Sequence, residues 1–146
     1  MSDKSNMAVE EFMSGYNCAQ SVFAAFCEET GISDDMALKI SCGLGGGMGR
    51  MQEVCGAVSG GILVLGLRHG RGVNDEQSAT TVTYQKTREF MSRFAERNGS
   101  YICRELLDDC DLTTEAGQLE FKERDMKNRI CKVCVESAVE ILEEIK

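Results

Sequence analysis

The chain has 146 residues, among them eight cysteines, no proline and no tryptophan, and its formal net charge is −8. That length suits one domain able to bury a core without cross-links, and the cysteine content falls below the roughly 8–10% of a secreted disulfide scaffold. So acidic a surface repels phosphate, which argues against nucleic-acid or anionic-membrane partners.

Residues 1–11 carry Asp3, Lys4, Glu10 and Glu11 without an apolar run, so they do not read as a signal peptide. Ser5 to Glu29 places Ala8, Phe12, Tyr16, Ala19, Val22, Phe23 and Phe26 at helical spacing. Ser14-Gly15 interrupts this stretch, and Asn17-x-x-Gln20 has the form of a capping box, so a second helix starts at Asn17. Gly31 closes it. Ser33 is an N-cap followed by Asp34 and Asp35, which suit the positive end of a helix running to Gly43. Gly43 to Gly49 then holds five glycines and cannot be regular helix. The spacing does not fit a phosphate-binding loop, and close backbone packing beside Cys55 is the favoured reading.

Val54 to His69 reads as a buried helix, and Gly56-x-x-x-Gly60 would let another helix pack backbone to backbone. Its apolar part, Val54 to Leu67, is too short for a bilayer of roughly 30 Å. Asp75 to Asn98 predicts a long helix with Ala79, Val82, Phe90, Met91 and Phe94 inward and a Glu89–Arg93 pair outside. A short helix is expected around Ile102 to Asp109. Thr113 or Thr114 caps the next, and Asp125 to Lys146 carries Cys131, Cys134, Ala138, Ile141 and Ile145 on one stripe. No segment alternates like a strand. The expectation is one compact all-α domain over residues 1–146, with five to seven helices and a glycine-rich loop. The cytoplasm is its expected compartment, where static disulfides are disfavoured.

Thiols in such a setting serve as core filler, metal ligands or redox groups. Cys18 and Cys55 each fall in the first turn of an expected helix, where the dipole and free amides favour a thiolate. Arg50 would support a thiolate at Cys55 and Glu53 would oppose it. Cys131-x-x-Cys134 lies inside a helix, with no preceding strand, so a thioredoxin-like reading fails. Residues i and i+3 stand about 5–6 Å apart at Cβ, whereas a disulfide needs about 3.8 Å. Each of the two is therefore expected to face a cysteine on another helix. The spacing matches no common zinc finger, compact ferredoxin or c-type haem motif. His69 reads as a solvated helix-terminal residue.

The chain carries Gly15-Tyr16-Asn17-Cys18-Ala19-Gln20-Ser21-Val22, Gly45-Gly46-Gly47-Met48-Gly49-Arg50, Cys55-Gly56-Ala57-x-x-Gly60-Gly61, Cys103-Arg104-x-Leu106 and Cys131-x-x-x-Val135-x-x-Ala138. In this combination it resembles the C_GCAxxG_C_C family of bacterial and archaeal redox-active proteins. The resemblance implies that Cys18, Cys55, Cys103 and Cys131 are the signature cysteines. Cys27, Cys42, Cys110 and Cys134 then stand apart as extra, structural thiols.

Three readings follow. The first is a thiol redox protein, a thiol-disulfide oxidoreductase in its enzymatic form, with Cys55 or Cys18 attacking and an unknown redox partner or small-molecule thiol. In the second, Cys18, Cys55, Cys103 and Cys131 hold a metal or an iron–sulfur cluster, although the sequence requires no cofactor. The third is a helical interaction domain with packed thiols. A homodimer is compatible with all three.

Overall fold

Four helices begin on a side chain that accepts a backbone amide, and three of these starts follow directly from the sequence. In the computed structural model, which describes residues 2–146, Ser2 caps α1 (Asp3–Met13). Asn17 caps α2 (Cys18–Ala24) through a complete capping box with Gln20. After the one-turn α3 (Cys27–Thr30), Ser33 caps α4 (Asp34–Ser41). A 3₁₀ turn at Cys42–Leu44 leads into the glycine loop. Then come α5 (Gly56–His69), α6 (Ser78–Asn98) and the one-turn α7 (Cys103–Leu106). Thr114 caps α8 (Glu115–Glu123), and a π-helical turn at Lys127–Cys131 runs into α9 (Lys132–Glu144).

The fold is all-α. Nine α-helices form among the described residues, and the surplus over five to seven comes from the one-turn pieces α3 and α7. The only strand-like pairing among them is an isolated antiparallel bridge between Val54 and Ile102. That bridge moves the start of α5 to Gly56, two residues later than the apolar pattern suggests. No helix is long and apolar enough to cross a membrane among the described residues.

α2 and α5 form the centre. A Cβ on Gly60 would sit 2.6 Å from the Ala19 carbonyl oxygen and 2.9 Å from its Cα; one on Gly56 would sit 3.1 Å from the Ala19 nitrogen. The two backbones therefore touch, as Gly56-x-x-x-Gly60 predicts. Gly61 admits the Phe90 ring of α6 in the same way. Around this contact Phe23, Phe26, Val58, Leu65, Phe94, Val135, Ile141 and Leu142 are fully or almost fully buried. Val82 lies outside the core at 39% exposure, because only the second half of α6 reaches it.

A smaller apolar cluster lies apart, formed by Cys103, Leu107, Cys110 and Met126 with Phe121 and Ile130 packed on it. Arg68 ties helix ends together outside the main core. It pairs with Glu29, donates to the Leu142 carbonyl and lies over the Phe26 ring.

Two alanine substitutions in α5 should move stability in opposite directions. Gly60→Ala has backbone in its way and should cost about 1–3 kcal/mol. Gly66→Ala meets nothing within 4 Å and should add about 0.5–1 kcal/mol by removing a helical glycine. Urea unfolding midpoints of the two variants check both signs.

Candidate functional site

The close approach of α2 and α5 sets their first residues side by side. Cys18 opens α2, and Cys55 is the N-cap of α5 rather than a member of its first turn. The extended stretch before α5 explains the change. The Cys55 amide donates to the Tyr101 carbonyl at 2.8 Å, and the Cys103 amide donates to Glu53 at 2.6 Å. This two-sided clasp holds Cys55 next to Cys103 at the start of α7. Cys131 closes the π turn and Cys134 follows in the first turn of α9. A π turn widens the helix and is frequent where side chains must be re-aimed.

These five cysteines line one cavity of about 710 Å³. Its walls come from both apolar clusters, with Phe12 on one side and Leu107 and Phe121 on the other. Cys55, Cys103 and Cys134 are at most 8% exposed, while Cys18 and Cys131 are half-buried. All eight cysteines are free thiols. Among the described residues, no three or more His, Cys, Asp or Glu side chains are grouped so as to hold a metal ion.

The thiols are paired between helices. Cys18 pairs with Cys131, and Cys55 with Cys134. Cys134 thus stands inside the cluster, not apart from it with Cys27, Cys42 and Cys110. Of those three, Cys42 is exposed, Cys27 faces Asp34, and the buried Cys110 thiol donates to the Gly117 carbonyl at 3.1 Å. The helical spacing already hinted at the role of Cys134, since i and i+3 share a face.

The electrostatics separate the members. The Cys134 thiol donates to the Cys55 sulfur and draws the Cys55 pKa below the ordinary thiol value, against the opposing effect of burial. The Ala57 and Val58 amides at the start of α5 act in the same direction. They work as nearby positive dipoles, because the sulfur forms no regular capping hydrogen bond. Cys134 is pushed far up, first by holding its proton toward Cys55 and then by burial. Cys18 is also raised, first by its bond to Cys131 and then by burial. Burial lifts Cys103 to about 12. Neither Arg50 nor Glu53 is among the causes acting on Cys55.

The glycine loop turns back on itself beside these sulfurs. Residues 46–50 all have positive φ, a left-handed turn that includes Met48 and Arg50. For a non-glycine residue this costs about 1–2 kcal/mol. Its amides are largely used internally: Gly49 donates to Gly43, Gln52 to Gly46 and Glu53 to Gly47, each at 3.0 Å. A Cβ at Gly47 would strike the Gln52–Glu53 backbone at 2.6 Å, and one at Gly45 would strike the Asn17 side chain. The packing reading of the loop accounts for these two glycines. Gln52, buried and itself at φ 59°, fastens the loop's exit. Its amide donates to the Cys110 carbonyl at 2.6 Å and accepts from the Leu112 amide at 2.9 Å. Nothing in the local sequence marks that role. His69, the last residue of α5, does not line the cavity, and its Nε2 is buried without a partner among the described residues instead of solvated.

The family model described as "Putative redox-active protein (C_GCAxxG_C_C)" matches residues 16–145. The chain belongs to the C_GCAxxG_C_C family. That match takes in all eight cysteines and every wall of the cavity from Asn17 onward. No curated protein and no solved structure matches this C_GCAxxG_C_C chain.

The raised thiols link stability to pH. Cys103 at about 12 and Cys27 at about 11 hold their protons in the folded state when the unfolded chain, with thiols near 9, has lost them. The unfolded state then binds fewer protons, so stability falls as pH rises. In reductant, this contribution should be intact below about pH 9 and vanish progressively toward about pH 11–12. Urea midpoints measured across that range should fall less steeply for Cys103→Ala than for the parent chain.

Proposed function

We propose that the protein carries out dithiol–disulfide chemistry, with Cys55 as the attacking thiolate and Cys134 as its resolving partner. The observation that supports this most is the placement of Cys55, whose sulfur sits at the N-cap of α5 before the Ala57 and Val58 amides, with Cys134 beside it in the same cavity. Exchange requires a thiolate to attack and a second thiol within reach to release the mixed disulfide.

The step balances simply. The Cys55 thiolate attacks one sulfur of an external disulfide, forming a protein mixed disulfide and expelling one thiolate. The Cys134 thiol passes its proton to the expelled thiolate and attacks the Cys55 sulfur. The second thiolate leaves, and a Cys55–Cys134 disulfide remains. The protein dithiol loses two electrons, and the external disulfide gains them. An external thiol restores the protein by the reverse exchange. Cys18 and Cys131 form the second pair, more open to solvent, and Cys103 stands beside Cys55 as a protonated neighbour.

Two variants separate the roles. Cys55→Ser should remove the thiol that alkylates fastest with iodoacetamide near neutral pH, with the helical circular dichroism retained. Cys134→Ser should still react but stop at a mixed disulfide on Cys55, seen as an adduct by mass spectrometry. Peptide mapping of the oxidised parent should recover a Cys55–Cys134 link. If Cys55→Ser leaves the fast alkylation unchanged in a folded protein, the nucleophile is another thiol.

A further inference from the structure

Resting on that reading, we infer that the disulfide handled here is a small organic molecule with an apolar body and an anionic group, not an exposed disulfide of another protein. Access decides the first half. Cys55 and Cys134 are 6% and 2% exposed and are reached through the cavity. A folded partner presents its disulfide on a surface and could not bring it to these sulfurs without opening the helices. A space of about 710 Å³ lies within the roughly 300–1,000 Å³ typical of small-molecule pockets.

The lining decides the second half. Phe12, Leu106, Leu119 and Phe121 offer apolar wall to the body of a ligand. Arg50, Lys122 and Lys127 also line the cavity, and among the described residues none of the three has an acidic partner. In a chain of net charge −8, most arginines elsewhere are tied to carboxylates or carbonyls. Glu115 and Asp125 share the lining, and Asp125 already accepts from Asn128 at 2.8 Å. Lys127 stands over the Phe12 ring at 5.2 Å, which directs one cation along an apolar wall.

Arg50 is the cation on the glycine-loop wall. A Cβ on Gly46 would meet the Arg50 Cγ at 2.8 Å, so its side chain is laid across the glycine loop. Gly46 and Gly47 line the cavity there, and among the described residues their amides donate to no acceptor. Two unpaired amides and a guanidinium with no acidic partner can receive one carboxylate on the wall of the cavity that also holds Cys55. The disulfide sulfur of the ligand would then approach with its charge held behind it.

Single-turnover kinetics with two aromatic disulfides test this. The dianionic probe is 5,5′-dithiobis(2-nitrobenzoate), and the neutral one is 4,4′-dithiodipyridine. The fast phase with the dianion should saturate at micromolar concentration. Arg50→Gln should raise its half-saturation about tenfold more than that of the neutral probe, equivalent to about 1.4 kcal/mol. Arg50→Lys should recover part of the loss, and added salt should weaken the dianion selectively. A rate that rises linearly with both probes, or equal effects of Arg50→Gln on both, overturns the anionic small-molecule assignment. So does faster turnover of a folded protein disulfide than of either probe. Cys55→Ser distinguishes the two levels. If it abolishes the fast phase while saturation is absent, the thiol reading stands and the pocket inference fails. If the fast phase persists, the thiol reading fails first.

Discussion

The contact between the α2 and α5 backbones is the constraint on which the rest depends. Two helices can approach this closely only where one presents no side chains, and Gly56 and Gly60 provide that strip against Ala19. Small-residue contact brings two consequences at once. It builds the centre of the core, and it brings together two helix starts whose first or capping residues are cysteines. Packing and chemistry are therefore not separable here. A larger residue at Gly60 would push apart the same two helices that carry Cys18 and Cys55.

Around that contact, the thiols differ because their surroundings differ. Cys55 has a donor thiol and amide dipoles, while Cys103, on the wall of the same cavity, has mainly desolvation. One polypeptide thus holds sulfurs of contrasting acidity in one cavity without any nearby histidine or lysine acting on Cys55. Burial alone would silence all of them. Only the alignment of α5 with its own N-cap and the neighbouring Cys134 reverses the sign at a single position.

Much of the fold was legible in the sequence because it rests on local chemistry. Asn17 with Gln20, Ser33 with two aspartates, and Gly31 and Gly99 at left-handed helix ends are short-range rules, and each operates as written. The small-residue contact was legible too, since its spacing is helical. Other features depend on distant partners. The start of α5 is decided by residues 101–103, some 45 positions onward, so Val54 pairs with Ile102 instead of entering the helix. Gln52 reaches Cys110 and Leu112 by a turn that no local pattern announces. At the candidate site, motif resemblance marks Cys18, Cys55, Cys103 and Cys131 and leaves Cys134 outside them. The i,i+3 spacing of Cys131 and Cys134, too wide for a local disulfide, turns both toward other helices and is the more informative signal. The π turn that leads into α9 has no sequence signature.

The placement of two sulfurs on one helix has a consequence for the whole chain. Cys131 addresses a residue near the start of the sequence, and Cys134 addresses one in its middle. Links formed at both places would interleave, each enclosing more than half the chain. A cross-link closing a loop of around 100 residues restricts the unfolded ensemble by about 4–5 kcal/mol. A small domain has only about 5–15 kcal/mol of stability in total. The oxidation state of the cavity would then be written into the unfolding free energy of the entire molecule. The reduced protein, without such links, would then be the looser form.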